Sequence, residues 1–481
     1  MKIRIVALAL GAGLGFTSVA FGQIGETGAC PPHMDQAAIE SWNLQFDAIF
    51  EQGRVLFDAR FNFLDGRGRP FSLGNGNPRA TPGPAFIRTS GPDATSCFGC
   101  HNQPRSGAGG DIVANVFVLA QNLDPVTTSI DPHFSNERNT LGMMGSGPIE
   151  MLAREMTAEL QAIRERAKKQ AAQGGQPVIA ALVAKGVKFG SIIVRPDGKI
   201  DPSQIQGVDW DLIIKPFHQK GAVVSLREFT NNAMNHHHGM QSVERFGLNT
   251  DPDGDGVMNE LSVGDITACT IYQAALGTPV QVMPTETKRR DAVKKGGTLF
   301  ASMGCTQCHV SALTLSSPYF VEPNPYNPPG NLRPNDVSQS YRFDMTSQGE
   351  GPYLERTYNG GALVRAFTDL KRHDLNDADL NFFANELVPQ GTINGFAPPS
   401  DFTMAPYPRP TRQFLTRKLW DAGNGAPYGH RGDLSTLTEA IYYHGGEARA
   451  TRDAFFARPK FDQDCVIEFL KSLQVVPPPA H

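Results

Sequence analysis

A mainly α-helical fold built from two similar halves is the fold class that this sequence predicts, and three observations indicate it. The pattern C-x-x-C-H occurs twice, at 97–101 and at 305–309. Each copy follows a G-x-x-L-F segment, at 53–57 and at 296–300. Apolar residues also recur at helical spacing upstream of both copies, which is typical of helices that pack through one face.

The C-x-x-C-H pattern is the attachment signature of c-type haem. In that chemistry the two thiols add to the vinyl groups of the porphyrin, and the histidine binds the iron. A zinc or redox C-x-x-C pair is the alternative, but the histidine directly after each pair favours haem. The sequence therefore predicts two covalently bound haem c groups in two cytochrome c-like haem domains with long loops. Their attachment residues are Cys97, Cys100, His101, Cys305, Cys308 and His309.

The first 22 residues predict export from the cytoplasm. Lys2 and Arg4 precede an apolar run at 5–16, and small residues at 18–22 suit a signal-peptide cleavage site. The run is too short to span a membrane, so we expect no membrane span after signal cleavage. An uncleaved anchor is the alternative. A periplasmic location agrees with covalent haem attachment, which takes place outside the cytoplasm.

The charge balance excludes a nucleic-acid partner. The chain has 44 Lys and Arg against 48 Asp and Glu, which leaves no basic footprint for nucleic acid. Four of the seven cysteines belong to the haem motifs, and the others are Cys30, Cys269 and Cys465. An oxidising compartment allows one disulfide among these three, and the sequence does not choose the pair.

The other elements are expected from periodicity and from capping residues. Asp35 is placed to cap the first helix, while Pro148 and the glycines at 174–175 bound the next. Short apolar runs divided by Pro-Asp-Gly predict a small β-containing insertion at 174–215. Loops are expected at 65–88 and 318–337, a short strand at 112–119, and short helices and loops after 337. The predicted helices cover 34–57, 148–173, 225–237, 287–309 and 462–473.

A length of 481 residues allows two or three domains. The segment at 279–286 is the best candidate linker, because it is polar and begins with a proline-containing stretch. The predicted organisation is a signal peptide at 1–22, an N-terminal haem domain with its insertion at 23–283, a C-terminal haem domain at 284–475, and a tail at 476–481.

An acidic loop predicts a calcium site. Acidic residues at loop positions 1, 3 and 5, with glycine at position 6, match the start of an EF-hand-type loop. Serine stands at position 12 in place of the usual glutamate, so Glu260 or Asp265 would have to close the coordination shell. The alternative is an acidic turn that caps the next helix. The matching residues are Asp251, Asp253, Asp255 and Gly256.

The chain resembles the bacterial di-haem cytochrome c peroxidase superfamily over about residues 45–473. The two haem motifs and the run at 426–444 carry this resemblance. The runs at 367–374 and 444–448 also resemble one branch of the superfamily, the di-haem oxidoreductases labelled thiol oxidoreductases. This resemblance implies that the C-terminal haem takes electrons from a small donor protein, a cytochrome or a cupredoxin. It implies that the N-terminal haem reduces a small-molecule oxidant such as hydrogen peroxide.

The resemblance also implies the ligands of the C-terminal haem. The family places the sixth ligand fourteen residues after the histidine of its Pro-Tyr-x-His motif. Here that histidine is His430, so the implied ligand is His444, opposite His309. Two imidazoles would leave this iron no open site. The alternative is that His444 caps a helix or contacts a haem propionate.

The N-terminal haem departs from the family pattern. The distal glutamine and glutamate of the peroxidases are replaced by Phe229 and Gly239. Beside them, His237 and His238 are candidates for proton transfer, and haem ligation or a structural role are the alternatives. Glu150 is a second candidate acid, whose alternative role is a charge at a helix N-terminus.

Two other functions remain open from the sequence. One is a non-catalytic electron-transfer di-haem cytochrome with both irons six-coordinate. The other is a haem-dependent oxygenase or protein-modifying enzyme, because related folds host different chemistries. The coordination state of the N-terminal haem separates the first of these from a peroxidase-like enzyme.

Overall fold

The computed structural model of the chain describes residues 25–67, 94–115, 137–380, 382 and 413–478. The predicted signal peptide and most of the predicted loop at 65–88 lie outside the described residues. Within the described ranges, none of the helices has the length and apolar character needed to cross a membrane.

The helices of the N-terminal half follow the prediction, with one correction. The helix predicted at 34–57 is two helices, because Trp42 adopts a left-handed backbone with φ 57° and interrupts the helical path. Asp35 caps the first of them, where its carboxylate accepts from the Ala37 N–H at 3.0 Å. The helices are α1 (Gln36–Glu40), α2 (Phe46–Asp58), α3 (Ser146–Gly174), α4 (Leu226–Ala233), α5 (Val243–Phe246) and α6 (Val263–Ala274).

The helix predicted at 287–309 ends before the second haem motif. It stops at Ser302, and Gly304, at φ 93°, turns the chain into a 3₁₀ turn at Cys305–Gln307. Glycine adopts this conformation without steric cost, so the motif begins directly at the turn. The helices of this half are α7 (Thr287–Ser302), α8 (Leu437–Tyr442), α9 (Arg449–Phe456) and α10 (Lys460–Lys471).

The fold is mixed, and the expectation of a mainly α fold needs correction. Much of the region after 309, predicted as loops and short helices, forms small antiparallel sheets of two or three strands. These strands have two to four residues, too few for a period-two pattern to be read from the sequence. The strands that precede them in the chain are β1 (Val113–Asn115), β2 (Glu137–Asn139), β3 (Val178–Ala184), β4 (Val187–Val194), β5 (Ile200–Asp201) and β6 (Val280–Gln281). The later ones are β7 (Leu313–Leu315), β8 (Tyr319–Glu322), β9 (Tyr341–Asp344), β10 (Glu355–Arg356), β11 (Ala362–Val364), β12 (Arg372–Asp374), β13 (Gln413–Leu415) and β14 (Leu473–Gln474).

Two of these strand groups bear on the predicted organisation. The predicted insertion is present, because β3, β4 and β5 form an antiparallel sheet. The predicted linker contains β6, which pairs with β14 near the end of the described chain. The segment between the halves is therefore hydrogen-bonded to the last strand.

The two G-x-x-L-F segments occupy equivalent positions. In the first, α2 crosses α6 so closely that a Cβ at Gly53 would overlap the carbonyl oxygen of Ala268. In the second, α7 crosses α10 so closely that a Cβ at Gly296 would overlap the carbonyl oxygen of Cys465. Glycine is required at both crossings because the backbones touch there.

The phenylalanines that end these segments also match. Phe57 lies 6.2 Å from His101 and Phe300 lies 6.2 Å from His309, measured between ring centres. Each also packs on an aromatic ring of the crossing helix, Phe57 on Tyr272 at 5.2 Å and Phe300 on Phe469 at 5.3 Å. The repeated pattern in the sequence thus corresponds to a repeated packing unit behind each haem motif.

Candidate di-haem site

Both C-x-x-C-H motifs open on one cavity. All six attachment residues line it, together with His237, His238 and His444. The structure therefore gathers every predicted haem residue, and two of the three predicted catalytic residues, around one space.

His309 and His444 face each other across the C-terminal part of the cavity. His309 Nδ1 donates to the carbonyl oxygen of Phe367 at 3.0 Å, and His444 Nδ1 donates to that of Ala440 at 2.7 Å. These bonds fix the tautomer and leave Nε2 of each ring for a metal, as in known metal-binding histidines. Burial lowers the pKa of His309 to about 4 and also lowers that of His444, so both are neutral, as metal ligands must be.

The spacing of these rings fits one iron between them. Their centres are 6.5 Å apart. A bond of about 2.0 Å from imidazole nitrogen to a metal, plus about 1.2 Å from that nitrogen to its ring centre, gives about 6.4 Å for two opposed ligands. The residues present therefore suit a haem iron ligated on both faces.

His101 has the same local arrangement in the N-terminal part of the cavity. Its Nδ1 donates to the carbonyl oxygen of Ala108 at 3.3 Å. Burial, and to a smaller extent the nearby His237, lowers the pKa of His101 to about 4. His101 is therefore neutral and suited to bind iron, and His237 lies in the same space.

The histidine segment forms a π-helix at Met234–His238, which continues α4 and ends at Gly239 with φ 70°. Of its three histidines, His237 and His238 line the cavity. His238 Nδ1 donates to the Ala94 carbonyl oxygen at 3.0 Å, and its Nε2 lies 3.5 Å from the Sγ of Cys97. His238 thus packs against the attachment cysteine.

A further cavity histidine, His218, was not predicted from the sequence. It lies in the turn between Phe217 and Val223, with φ 61°, and packs on Phe229 with ring centres 5.2 Å apart. Burial, and then the nearby His237, lowers its pKa to about 4. No motif surrounds His218, and only the tertiary fold brings it to Phe229, the residue at the expected glutamine position.

Glu150 is not brought to the cavity. It is fully buried, and its carboxylate accepts from the Leu226 N–H at the start of α4 and from the Asn324 side chain, each at 2.8 Å. Burial, followed by repulsion from Glu322, raises the pKa of Glu150 to about 7. Glu150 therefore caps the N-terminus of α4 instead of facing the cavity, where a candidate acid would have to lie.

Basic side chains line the cavity and suit the propionates that each haem carries. Burial, and then the neighbouring Arg417, lowers the pKa of Lys418 to about 8. Carboxylates placed beside it would restore its charge. The basic residues of the lining are Arg138, Arg417, Lys418 and Arg452.

His373, from the run at 367–374, lies beside the C-terminal attachment motif. A ligand atom of its ring lies within 4.8 Å of those of Cys308 and Asp369. Its ring nitrogens bond Asp369 at 2.9 Å and Glu447 at 2.7 Å. Burial opposes its charge, but hydrogen bonds to Asp369, Cys308 and Glu447 raise the pKa of His373 to about 11. His373 thus connects its own segment, 367–374, to the attachment motif at 305–309 and to the segment at 444–448.

The acidic loop lies apart from the cavity. Carboxylate oxygens of Asp251, Asp253 and Asp255 lie within 4.8 Å of one another. Burial and these neighbours raise the pKa of Asp253 to about 7, and burial raises that of Glu260 to about 10. Asp265 is engaged elsewhere, since it closes the N-terminus of α6 and accepts from the Met34 N–H at 3.0 Å.

The comparison with known families agrees with these observations. Residues 407–473 match the family model described as "Di-haem oxidoreductase, putative peroxidase". This match confirms the predicted resemblance to the di-haem peroxidase superfamily. The matched segment spans 67 of the 481 residues and contains His430 and His444, so this part of the chain is similar to the di-haem oxidoreductases.

Two solved structures are similar at low identity. Hydrazine synthase of Kuenenia stuttgartiensis is 12% identical with a TM-score of 0.36, over 98% of this chain and 100% of that chain. A MauG-like protein associated with microbial copper homeostasis is 15% identical with a TM-score of 0.27, over 69% of this chain and 90% of that chain. Both similarities are too weak to carry a functional argument. Among curated proteins, none matches the chain.

Proposed function

We propose that this protein is an exported di-haem c-type cytochrome oxidoreductase with peroxidase-like activity. When bound, the haems supply the redox chemistry: the C-terminal one relays electrons from a small cytochrome or cupredoxin to the N-terminal one, which reduces an oxidant such as hydrogen peroxide. The shared cavity carries this proposal, because both attachment motifs open on it and electron transfer between haems needs short distances.

The attachment residues would hold the two groups in fixed orientations. The cysteines at 97, 100, 305 and 308 would form thioethers, and His101 and His309 would be the ligands next to them. The bond from each Nδ1 to a backbone carbonyl holds the ring in place and increases its basicity.

His444 would complete the ligands of the C-terminal iron. The ring spacing and the bond of its Nδ1 to the Ala440 carbonyl oxygen support this role. Because both faces of that iron would be occupied, the C-terminal haem suits electron relay rather than substrate binding.

His237 would move the proton in the N-terminal pocket. A neutral imidazole nitrogen can accept the proton of peroxide and return it to the departing oxygen. His237 suits this role because it lines the cavity close to His101. We assign His238 a supporting role, since its ring nitrogens already face the Ala94 carbonyl oxygen and the Sγ of Cys97.

Spectroscopy of the purified protein tests this proposal. In both the oxidised and half-reduced states, we expect one low-spin signal from a bis-histidine haem. In at least one state, a second haem should be high-spin and bind cyanide or carbon monoxide. If both haems stay low-spin in every state and bind neither ligand, the non-catalytic electron-transfer alternative replaces the enzyme. Haem that resists extraction by acid and acetone would establish the covalent linkage.

A further inference from the structure

We propose that the loop at 251–260 binds one Ca²⁺ ion through the carboxylates of Asp251, Asp253 and Asp255, with Glu260 beside them. None of these residues lines the haem cavity, so the site is separate from the redox centre. The inference does not depend on the proposed function.

The first observation is that three carboxylates converge. Their oxygens lie within 4.8 Å of one another. Such closeness is unfavourable for three negative charges, and a divalent cation between them reverses the sign of the interaction.

The second observation is the state of Asp253. Its side chain is 4% exposed, and neither carboxylate oxygen has a hydrogen-bond partner. A buried carboxylate without a partner costs several kcal/mol. Oδ2 of Asp255 is also buried without a partner. Oxygens in this condition, next to two other carboxylates, are positioned for a cation.

The donor set selects the kind of cation. It consists of oxygen ligands, with no histidine or cysteine in the cluster, as hard cations require. Two neighbouring side chains are engaged elsewhere: Ser262 donates to the Met34 carbonyl oxygen at 2.9 Å, and Asn259 donates to Asn249 at 2.9 Å. Ca²⁺ accepts an irregular shell of oxygen ligands, whereas Mg²⁺ demands a regular octahedron, so this set of carboxylates favours Ca²⁺.

The site is connected to the histidine segment through Glu260. Its carboxylate accepts from the Gln241 N–H at 2.7 Å, three residues after His238. Glu260 is 4% exposed and lies close enough to the three aspartates to feel their charges. An ion in the loop would therefore hold the Glu260 carboxylate in place. Through the bond to the Gln241 N–H, it would also stabilise the segment that follows the π-helix.

Calcium titration of the chelator-treated holoprotein tests the site. We expect one ion per chain, with a dissociation constant of about 10⁻⁴–10⁻³ M because the usual bidentate glutamate is missing, and weaker binding of Mg²⁺. Asp253→Asn should weaken Ca²⁺ binding at least tenfold. The matched control is Asp197→Asn, since Asp197 stands in another Pro-Asp-Gly turn but is exposed. The control should bind Ca²⁺ as the wild type does.

Thermal unfolding gives a second test, in which loss of the Ca²⁺ site is distinguished from general destabilisation of the protein. With chelator, Asp253→Asn should melt at or above the wild-type temperature, since it removes an unpaired buried charge. With saturating Ca²⁺ the order should reverse. Amide hydrogen exchange at 239–247 should slow on adding Ca²⁺ to the wild type only.

The proposal is overturned by any of three results. These are no Ca²⁺-dependent change in wild-type melting at 10 mM (roughly ten times the weakest dissociation constant expected), equal Ca²⁺ shifts in wild type and Asp253→Asn, or equal loss in Asp197→Asn. The spectra of the haems report separately on the redox proposal, so failure of one proposal is distinguishable from failure of the other.

Discussion

At the scale of single residues, the pairing of His309 with His444 makes a prediction about potential. Replacing His444 with methionine should raise the reduction potential of one haem by on the order of 0.1 V, because a thioether stabilises ferrous iron better than imidazole does. It should also add the weak red-edge absorption of a thioether–iron bond. Redox titration with visible spectroscopy measures both effects.

The control for this substitution is Tyr442→Met. Tyr442 ends α8 two residues before His444, but it is 47% exposed and does not line the cavity. It should change neither potential nor spectrum. If His444→Met also changes neither, His444 does not bind iron.

The second prediction at this scale concerns His237. His237→Gln should lower kcat/KM for peroxide by about 10²-fold or more, as expected on loss of a general acid–base group. His236→Gln is the matched control, because His236 is its neighbour and does not line the cavity. Steady-state assays of both variants give the comparison.

Two other outcomes would contradict the role of His237. Equal losses in both variants would indicate a structural effect of the segment. Faster cyanide binding by His237→Gln than by wild type would instead make His237 an iron ligand.

Site residues could be predicted from the sequence where their function depends on neighbours close by in the chain. Covalent attachment requires two thiols and an imidazole at fixed local spacing, so the six attachment residues stand out in the sequence. His218 and Glu150 show the limit. The first reaches the cavity, and the second is drawn away from it, only through contacts between distant segments.

At the scale of elements, Glu150 connects α3 to the N-terminus of α4. Its raised pKa means that the folded state favours the protonated form. The stability that the protonated Glu150 contributes to the folded state is fully present below the ordinary glutamate pKa. It is lost as the pH rises through about 7. Glu150→Gln should therefore gain stability relative to wild type between pH 4.5 and 8, on the order of 1–3 kcal/mol.

Denaturant unfolding at several pH values measures this difference. The control is Glu165→Gln on the same helix, whose side chain is 54% exposed. Its stability difference from wild type should not vary in the same way with pH. A flat difference for Glu150→Gln would mean that Glu150 is ionised in the folded protein throughout the range.

Whether a helix or strand could be predicted from the sequence depended on how many residues it contains. The 29 residues of α3 and the 12 of α10 carry enough helical turns for capping residues and apolar spacing to mark them. Strands of two to four residues do not. The break at Trp42 was also not readable, because a left-handed backbone at tryptophan is set by its tertiary contacts, such as stacking on Tyr341 at 4.7 Å.

At the scale of the whole molecule, two equivalent helix crossings support the two haem motifs. Gly296→Ala should destabilise the protein by about 1–3 kcal/mol or more, because the new methyl group would meet the backbone of α10 at Cys465. Gly174→Ala, at the end of α3 with nothing within 4 Å of the new Cβ, should be neutral or slightly stabilising.

Urea unfolding and the yield of attached haem check this pair. A Gly296→Ala protein with wild-type stability would show that α7 and α10 can move apart without loss. The five-residue repeat in the sequence hinted at this symmetry, but only the packing of Phe57 and Phe300 behind their histidines established it.

Two attachment cysteines, Cys97 and Cys305, are half-buried in the wall of the cavity, and this bears on how haem would be attached. Burial raises the pKa of both Cys97 and Cys305 to about 12, so neither thiol is a reactive thiolate once the chain has closed around it. Addition to a vinyl group needs an accessible thiol. Under the proposed function, we therefore expect each haem to reach the chain while these thiols are still accessible, so that folding follows attachment.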